Sequence, residues 1–352
     1  MRKVKQLLIV KKGEKMKIFI VGGTGLLGAA AAKELISRGH SIVSVALPPV
    51  PKGADIPKEM ELHLGNIFEM SDSEIVSLLE GCDAFVFAAG VDERVEFSPP
   101  VYDSYYKFNI APLERLLPLA KKCGVKNVVV LGSYFSHFCK IEPKLNLYDT
   151  HPYIKSRIDQ ENLAMSFADK DMVVSILELP YIFGPQTGRK PVWMLYIDLL
   201  MPMKKTVYFP KGGTTMVTVN QVGQCIAGCI ERAKESKCYP VGYYNKTWKE
   251  LLAIVNENMG FPNKKIVTIP TFLYKLFSYK LAKDYKKKNI EAGLNPVKFV
   301  KLMTKNTFID SDIIKNELGV KEDDIDKAIG ESIRYCMEIY KKNEKVVEMK
   351  AE

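Results

Sequence analysis

The sequence predicts an α/β protein, a doubly wound parallel sheet carrying a smaller, mostly helical C-terminal substrate lobe. Three observations predict it. Lys17 to Val21 form a short apolar run that enters a glycine turn and leaves it as a helix of small and apolar residues. From residue 41 to residue 177, β-branched runs alternate with segments of helical period, the pattern of a parallel sheet covered on both faces. From Pro180 that alternation loosens into proline- and glycine-bearing loops and amphipathic helices, as in PYIFGPQTGRKPVW and Asp323 to Lys341.

The turn is GGTGLLG, running Gly22, Gly23, Thr24, Gly25, Leu26, Leu27 and Gly28. Gly22 and Gly25 let the backbone turn sharply and approach a pyrophosphate, Gly28 permits close packing of helix on strand, and the helix N-terminus offers free N–H groups to an anion. The second strand, Ser41 to Leu47, closes on Ala46, Leu47 and two prolines instead of the acidic residue that accepts hydrogen bonds from an NAD ribose. Lys52 is the nearest base and could meet a 2′-phosphate, so the choice between NAD and NADP leans to NADP. A third strand, Glu61 to Leu64, leads to Gly65 and Asn66, with Asn66 placed to face adenine. A helix near Asp72 to Glu80 precedes a fourth strand, Cys82 to Gly90, whose small end residues Ala88, Ala89 and Gly90 let a cofactor lie across it. Helix Tyr102 to Cys123, strand Asn127 to Leu131 with Gly132 and Ser133 at its end, helix Tyr153 to Phe167 and strand Met172 to Leu177 complete the alternation.

These boundaries divide the chain into an N-terminal extension (1–15), a nucleotide domain (16–179), a substrate lobe intertwined with it (180–345) and a tail (346–352). An apolar fraction of 47% is ample for a buried core, and no run reaches the length of a spanning helix. The apolar stretch Leu7 to Val10 is too short for a signal peptide. Seven scattered cysteines without C-x-x-C spacing point to reduced thiols in a cytoplasm, and the four histidines share no ligand pattern with them, so no metal site is expected. A net charge of +10 suggests attraction for anions but not nucleic acid, since the basic residues are dispersed. One concentration, residues 274–289, combines lysines with apolar positions at near-helical spacing and could make peripheral contact with a membrane surface. Helices 102–123 and 153–167 are long enough to pair in a homodimer.

With the strands placed, Ser133, Tyr153 and the glycine turn come together at the carboxyl edge of the sheet. The chain here resembles the extended short-chain dehydrogenase/reductase superfamily, also called the NAD-dependent epimerase/dehydratase family, whose nucleotide domain is a Rossmann fold. The likeness runs through GGTGLLG, Ala88-Ala89-Gly90, Asn109, Ser133, PYIKSR, LPYIFGP and NTFIDSDIIKNELG, over residues 16 to 341. The resemblance implies hydride transfer between nicotinamide and a carbonyl or carbinol carbon of a small-molecule substrate. It implies Tyr153 as general acid/base, Ser133 as the hydrogen-bond partner of the same substrate oxygen, and Pro180, Tyr153 and position 157 beside the cofactor. Where the family has lysine this chain has Arg157, which supplies positive charge but does not readily release a proton. That substitution leaves room for a working reductase with an altered proton path or for a nucleotide-binding sensor of impaired catalysis. A nucleotide-sugar epimerase or dehydratase is a further alternative, with Arg189 and Lys190 available to a diphosphate. His151 is an alternative proton donor, Glu178 a partner for Arg157 or Arg189, and Tyr134, Tyr181, Phe183 and Trp193 a candidate pocket wall.

Overall fold

The computed structural model describes residues 14–343 and 345–348. Most of the expected N-terminal extension and the last four residues of the tail lie outside them. The first half runs β1 (Lys17–Val21), α1 (Leu26–Ser37), β2 (Ser41–Ala46), β3 (Glu61–Leu64), α2 (Asp72–Leu79), β4 (Ala84–Phe87), α3 (Val101–Tyr105), α4 (Ala111–Lys122), β5 (Asn127–Leu131), α5 (Tyr134–Ile141), α6 (Leu147–Thr150), α7 (Pro152–Met165) and β6 (Val173–Glu178). The second half runs β7 (Tyr181–Phe183), α8 (Met194–Leu200), β8 (Thr206–Pro210), β9 (Gly213–Thr218), α9 (Val219–Arg232), β10 (Lys237–Pro240), β11 (Tyr244–Thr247), α10 (Trp248–Asn258), β12 (Lys265–Ile269), α11 (Thr271–Lys287), α12 (Pro296–Met303), β13 (Asn306–Thr307), α13 (Asp312–Asn316) and α14 (Ile325–Lys342).

Seven strands form one sheet in the order β10-β6-β5-β4-β1-β2-β3, every pair parallel. The order reverses between β1 and β4, so a crevice opens beyond their carboxyl ends, where ligands of this architecture bind. Both faces are apolar because both are covered. Ile18, Ile20 and Val86 pack against α1 and α9, while Phe19, Phe85 and Val128 pack against α2, α4 and α7, with the rings of Phe19 and Phe85 stacked at 5.8 Å.

The chain crosses back after its second lobe begins. Helix α9 starts at a capping box made by Thr218 and Gln221, lies on α1 with Gly223 against the Ala30 carbonyl, and delivers β10 to the sheet beside β6. The rest of the lobe is less purely helical than the sequence suggests. Three short strands, β11, β9 and β13, form a small sheet with β7 paired to β9, and β8 pairs with β12. Residues such as Thr206 to Pro210 give too little alternation to be read as strands without their partners.

The expected continuous helix over 102–123 is broken by a π-helical turn at Tyr106–Ile110. The wider turn directs the Asn109 side chain inward. There its amide accepts from the Val91 N–H at 2.8 Å and donates to the Val91 carbonyl at 3.0 Å, while Gln160 of α7 holds the Asn109 carbonyl at 2.6 Å. The loop after β4 is thereby fixed at the mouth of the crevice.

Helix α1 sits so close to the turn that a Cβ at Gly28 would lie 2.2 Å from the Gly22 carbonyl oxygen and 2.9 Å from the Gly23 Cα. Both obstacles are backbone, so neither can swing aside. Gly28→Ala should therefore lower stability by about 1–3 kcal/mol, seen as a reduced urea midpoint at unchanged slope.

Candidate active site

A cavity of about 480 Å³ fills the crevice. Gly22, Thr24, Gly25, Leu26 and Leu27 line one end, and Asn66, Ala88, Ala89 and Gly90 line its side. Ser133, Tyr153, Arg157 and Pro180 line it as well. Gly23 and Gly28 do not. The Gly23 N–H donates to the Ser44 hydroxyl at 3.1 Å, and a Cβ there would strike that oxygen, so both glycines serve packing beneath the turn. Gly22 itself has φ +96°, and a side chain there would meet the Ala88 carbonyl at 2.7 Å. The bare turn, the helix behind it and the small residues at the end of β4 leave space and N–H groups suited to a dinucleotide pyrophosphate.

Ser133 ends β5 and caps α5, its hydroxyl accepting from the Phe135 N–H at 3.4 Å. Tyr153 opens α7 after Pro152, and its N–H donates to the Gly293 carbonyl at 3.0 Å. Its ring is wedged between Tyr105 at 5.4 Å and Phe135 at 6.4 Å. One helical turn on, the Arg157 guanidinium lies 5.9 Å from the Tyr153 ring centre and donates to the Leu131 carbonyl at the end of β5. Burial pushes the Tyr153 phenol well above its usual pKa. Arg157 pulls it down, Glu93 and Asp92 push it further up, and the Ser133 hydroxyl lowers it. The phenol is accordingly neutral at physiological pH, a donor rather than an acceptor of a proton.

The acidic residues in that balance are absent from the sequence expectations. The loop after β4 carries Asp92, Glu93 and Arg94 into the cavity lining. Arg94 is neutralised by Asp92, its Nε donating to Oδ1 at 2.9 Å. Glu93 forms no salt bridge among the described residues, and its carboxylate accepts from its own backbone N–H. It shares the cavity lining with Tyr134, Tyr153 and Tyr181, and its charge raises the pKa of these three and of Tyr105. Burial drives Glu93 up to about 7, Asp92 adds to the shift, and Arg94 and Arg157 oppose it. Three successive ionisable residues, separated from Ala88-Ala89-Gly90 by Val91 alone, were the signal available in the sequence.

Other expectations are corrected. His151 is fully buried, neither ring nitrogen has a hydrogen-bond partner, and it is not in the cavity lining; burial lowers its pKa. It cannot reach a substrate oxygen as the alternative proton donor. Glu178 pairs not with Arg157 or Arg189 but with Lys140 at 2.7 Å, which also holds Glu161 at 2.8 Å. Tyr134, Tyr181 and Trp193 line the cavity, whereas Phe183 stacks behind Trp193 at 4.2 Å. Lys52 does not line the cavity; its backbone packs against Gly188. Arg189 does line it, and it belongs to the turn's end: its Nε donates to Gln186 at 3.0 Å, and Gln186 donates to the Thr24 carbonyl at 3.1 Å. No cluster of three metal-ligating side chains occurs among the described residues, nor is any of their helices long and apolar enough to cross a membrane.

Comparison with known proteins gives the same architecture. A model described as the NAD dependent epimerase/dehydratase family matches residues 18–215. The chain is 20% identical over 333 residues to a Synechocystis sp. protein named "Putative dihydroflavonol 4-reductase", covering 90% of this chain and 93% of that one. Among solved structures, the protein gox2253 aligns with TM-score 0.69 at 20% identity, over 95% of this chain and all of that one. UDP-glucose 4-epimerase from Bifidobacterium longum, solved with NAD+ and UDP, aligns with TM-score 0.62 at 16% identity, over 94% and 99%.

The Glu93 shift makes a stability prediction. An unfolded glutamate ionises near the ordinary 4.5, the folded one near 7, so the folded state holds the extra proton between those values and loses stability as pH rises through that window. Glu93→Gln, which cannot ionise, should melt at a higher temperature than the parent at about pH 8, the difference vanishing below about pH 4.5. A constant difference across that range would show that Glu93 ionises normally.

Proposed function

The chain belongs to the NAD-dependent epimerase/dehydratase family, and we propose that it is an NAD(P)-dependent reductase of a small to medium, largely apolar carbonyl compound. The observation that carries this reading is the buried Tyr153 in the same cavity lining as Ser133, an aromatic wall and the glycine turn. The chemistry that a reduced nicotinamide would supply, held between the glycine turn and Arg157, is hydride for the carbonyl carbon. Ser133 orients the carbonyl oxygen, and Tyr153 gives that oxygen its proton, so the product is the alcohol. Arg157 would hold the nicotinamide ribose and stabilise the tyrosinate left behind, which must then recover its proton from solvent, since the guanidinium keeps its own.

The charges of the cavity argue against an anionic substrate. Arg94 is occupied by Asp92, and the Glu93 carboxylate near Tyr153 would repel a phosphate or a second diphosphate. Arg189 is engaged beside the glycine turn, where a cofactor phosphate would lie. This weakens the nucleotide-sugar alternative, for which Arg189 and Lys190 were the available cations, since Lys190 pairs with Glu348 at 2.9 Å. Strand β2 ends without a carboxylate to exclude a 2′-phosphate, and with Arg189 at that end of the cavity NADP is the cofactor we favour. Asn66 borders the adenine side, although its amide is already engaged by the Phe68 N–H and Glu69.

Tyr153→Phe should cut carbonyl reduction by roughly 100-fold or more while leaving NADPH affinity nearly unchanged, as measured by steady-state kinetics and calorimetry. Full turnover by that variant on a confirmed substrate would overturn the assignment. Retained NAD on purification with binding of a UDP-sugar would instead favour an epimerase. Arg189→Met should weaken NADPH about ten-fold and NADH less, the loss expected for one charge-assisted phosphate contact. Equal affinities in variant and parent would remove the case for NADP.

A further inference from the structure

Helix α11 is built the wrong way round for a helix that only packs on its own protein. Its inner face is made by Thr271, Tyr274, Ser278, Ala282 and Tyr285, and Ser278 alone on the helix is buried. Its larger apolar side chains point away. Phe272, Leu276 and Phe277 are 66%, 61% and 63% exposed, joined by Leu273, Tyr279 and Leu281. Single exposed apolar residues are ordinary; six on one 17-residue helix form a patch that needs a partner.

The basic residues show which partner. Lys275, Lys280, Lys283, Lys286 and Lys287 are exposed on the same helix, against one acid, Asp284. Phe272 to Tyr279 give the helix an apolar N-terminal half and Lys280 to Lys287 a cationic C-terminal half. We propose that the outer face of α11 docks in the plane of an anionic lipid bilayer, its phenyl and leucyl groups entering the acyl boundary and its lysines meeting the headgroup charge. A second copy of the chain fits this face less well. In a two-fold contact the apolar half would meet the partner's lysines, or lysines would meet lysines.

A run of aromatic rings links the helix to the cavity wall. Tyr274 meets Phe209 at 6.4 Å, Phe209 meets Trp248 at 5.9 Å, and Trp248 meets Tyr181 of the cavity wall at 5.7 Å. Docking on this face brings the aromatic wall within a few side chains of the lipid. The inference does not depend on the reaction assigned to the cavity, because its readout is partitioning and not turnover.

The test is flotation of the full-length protein with vesicles of phosphatidylcholine alone or mixed in equal parts with phosphatidylglycerol, at low and high salt, alongside sedimentation velocity without lipid. The protein should float with the anionic vesicles, and weaken roughly five-fold when Lys283→Gln removes one charge. Phe272→Ser combined with Phe277→Ser should reduce binding about ten-fold or more with unchanged circular dichroism, both positions being exposed. High salt should weaken binding by screening the lysines. Absence of flotation, or flotation indifferent to these substitutions, overturns the proposal. So does a lipid-free dimer that the double substitution dissociates while the parent fails to bind vesicles, which would make the face an interface between copies.

Discussion

The nearness of α1 to the glycine turn is the constraint on which the rest depends. Gly28 lets the helix rest against the Gly22 carbonyl, Gly22 in turn approaches the Ala88 carbonyl at the end of β4, and Gly23 settles on Ser44 of β2. Three strand ends are thereby drawn to one point with no side chain between them. The space so created is what a pyrophosphate can enter, and the helix dipole faces it. Ser133 and Tyr153 face that space only because β5 and α7 stand in register with the same sheet.

A second constraint is the loop after β4. Asn109 clips it through Val91, and the π-helical turn exists to aim that amide, with Gln160 bracing it from α7. The loop carries Asp92 and Glu93 to the phenols, so a structural hydrogen bond sets the electrostatics of the site. Arg157 lowers the Tyr153 pKa and Glu93 raises it; burial decides in favour of the neutral phenol. The arginine in place of the family lysine thus sits in a site where opposing charges and desolvation already keep the tyrosine protonated.

Much of this was legible in the sequence where the physics is local. The strand, turn and helix of residues 17–37, the strand ends at Ala88 and Ser133, and the i, i+4 relation of Tyr153 and Arg157 follow from side-chain period and glycine spacing. The surroundings of His151 and Glu178 are set by partners distant in the chain, Phe299 near the first and Lys140 against the second, while Phe183 is covered by Trp193 across an irregular loop that gives no periodicity to read. Arg189 looked like a substrate-lobe cation, yet the lobe folds back and Gln186 ties it to the turn.

The sequence by itself determined the parallel sheet, the family and the position of the glycine turn, because periodicity and backbone freedom are properties of neighbouring residues. It also determined the lysine-rich composition of residues 274–289. Only the tertiary structure decided that Glu93 shares the cavity lining with Tyr134, Tyr153 and Tyr181, that α9 and β10 return to the first domain, and that the phenylalanines of α11 face outward. Those depend on which surfaces meet, and burial, desolvation and charge coupling arise only once they have met.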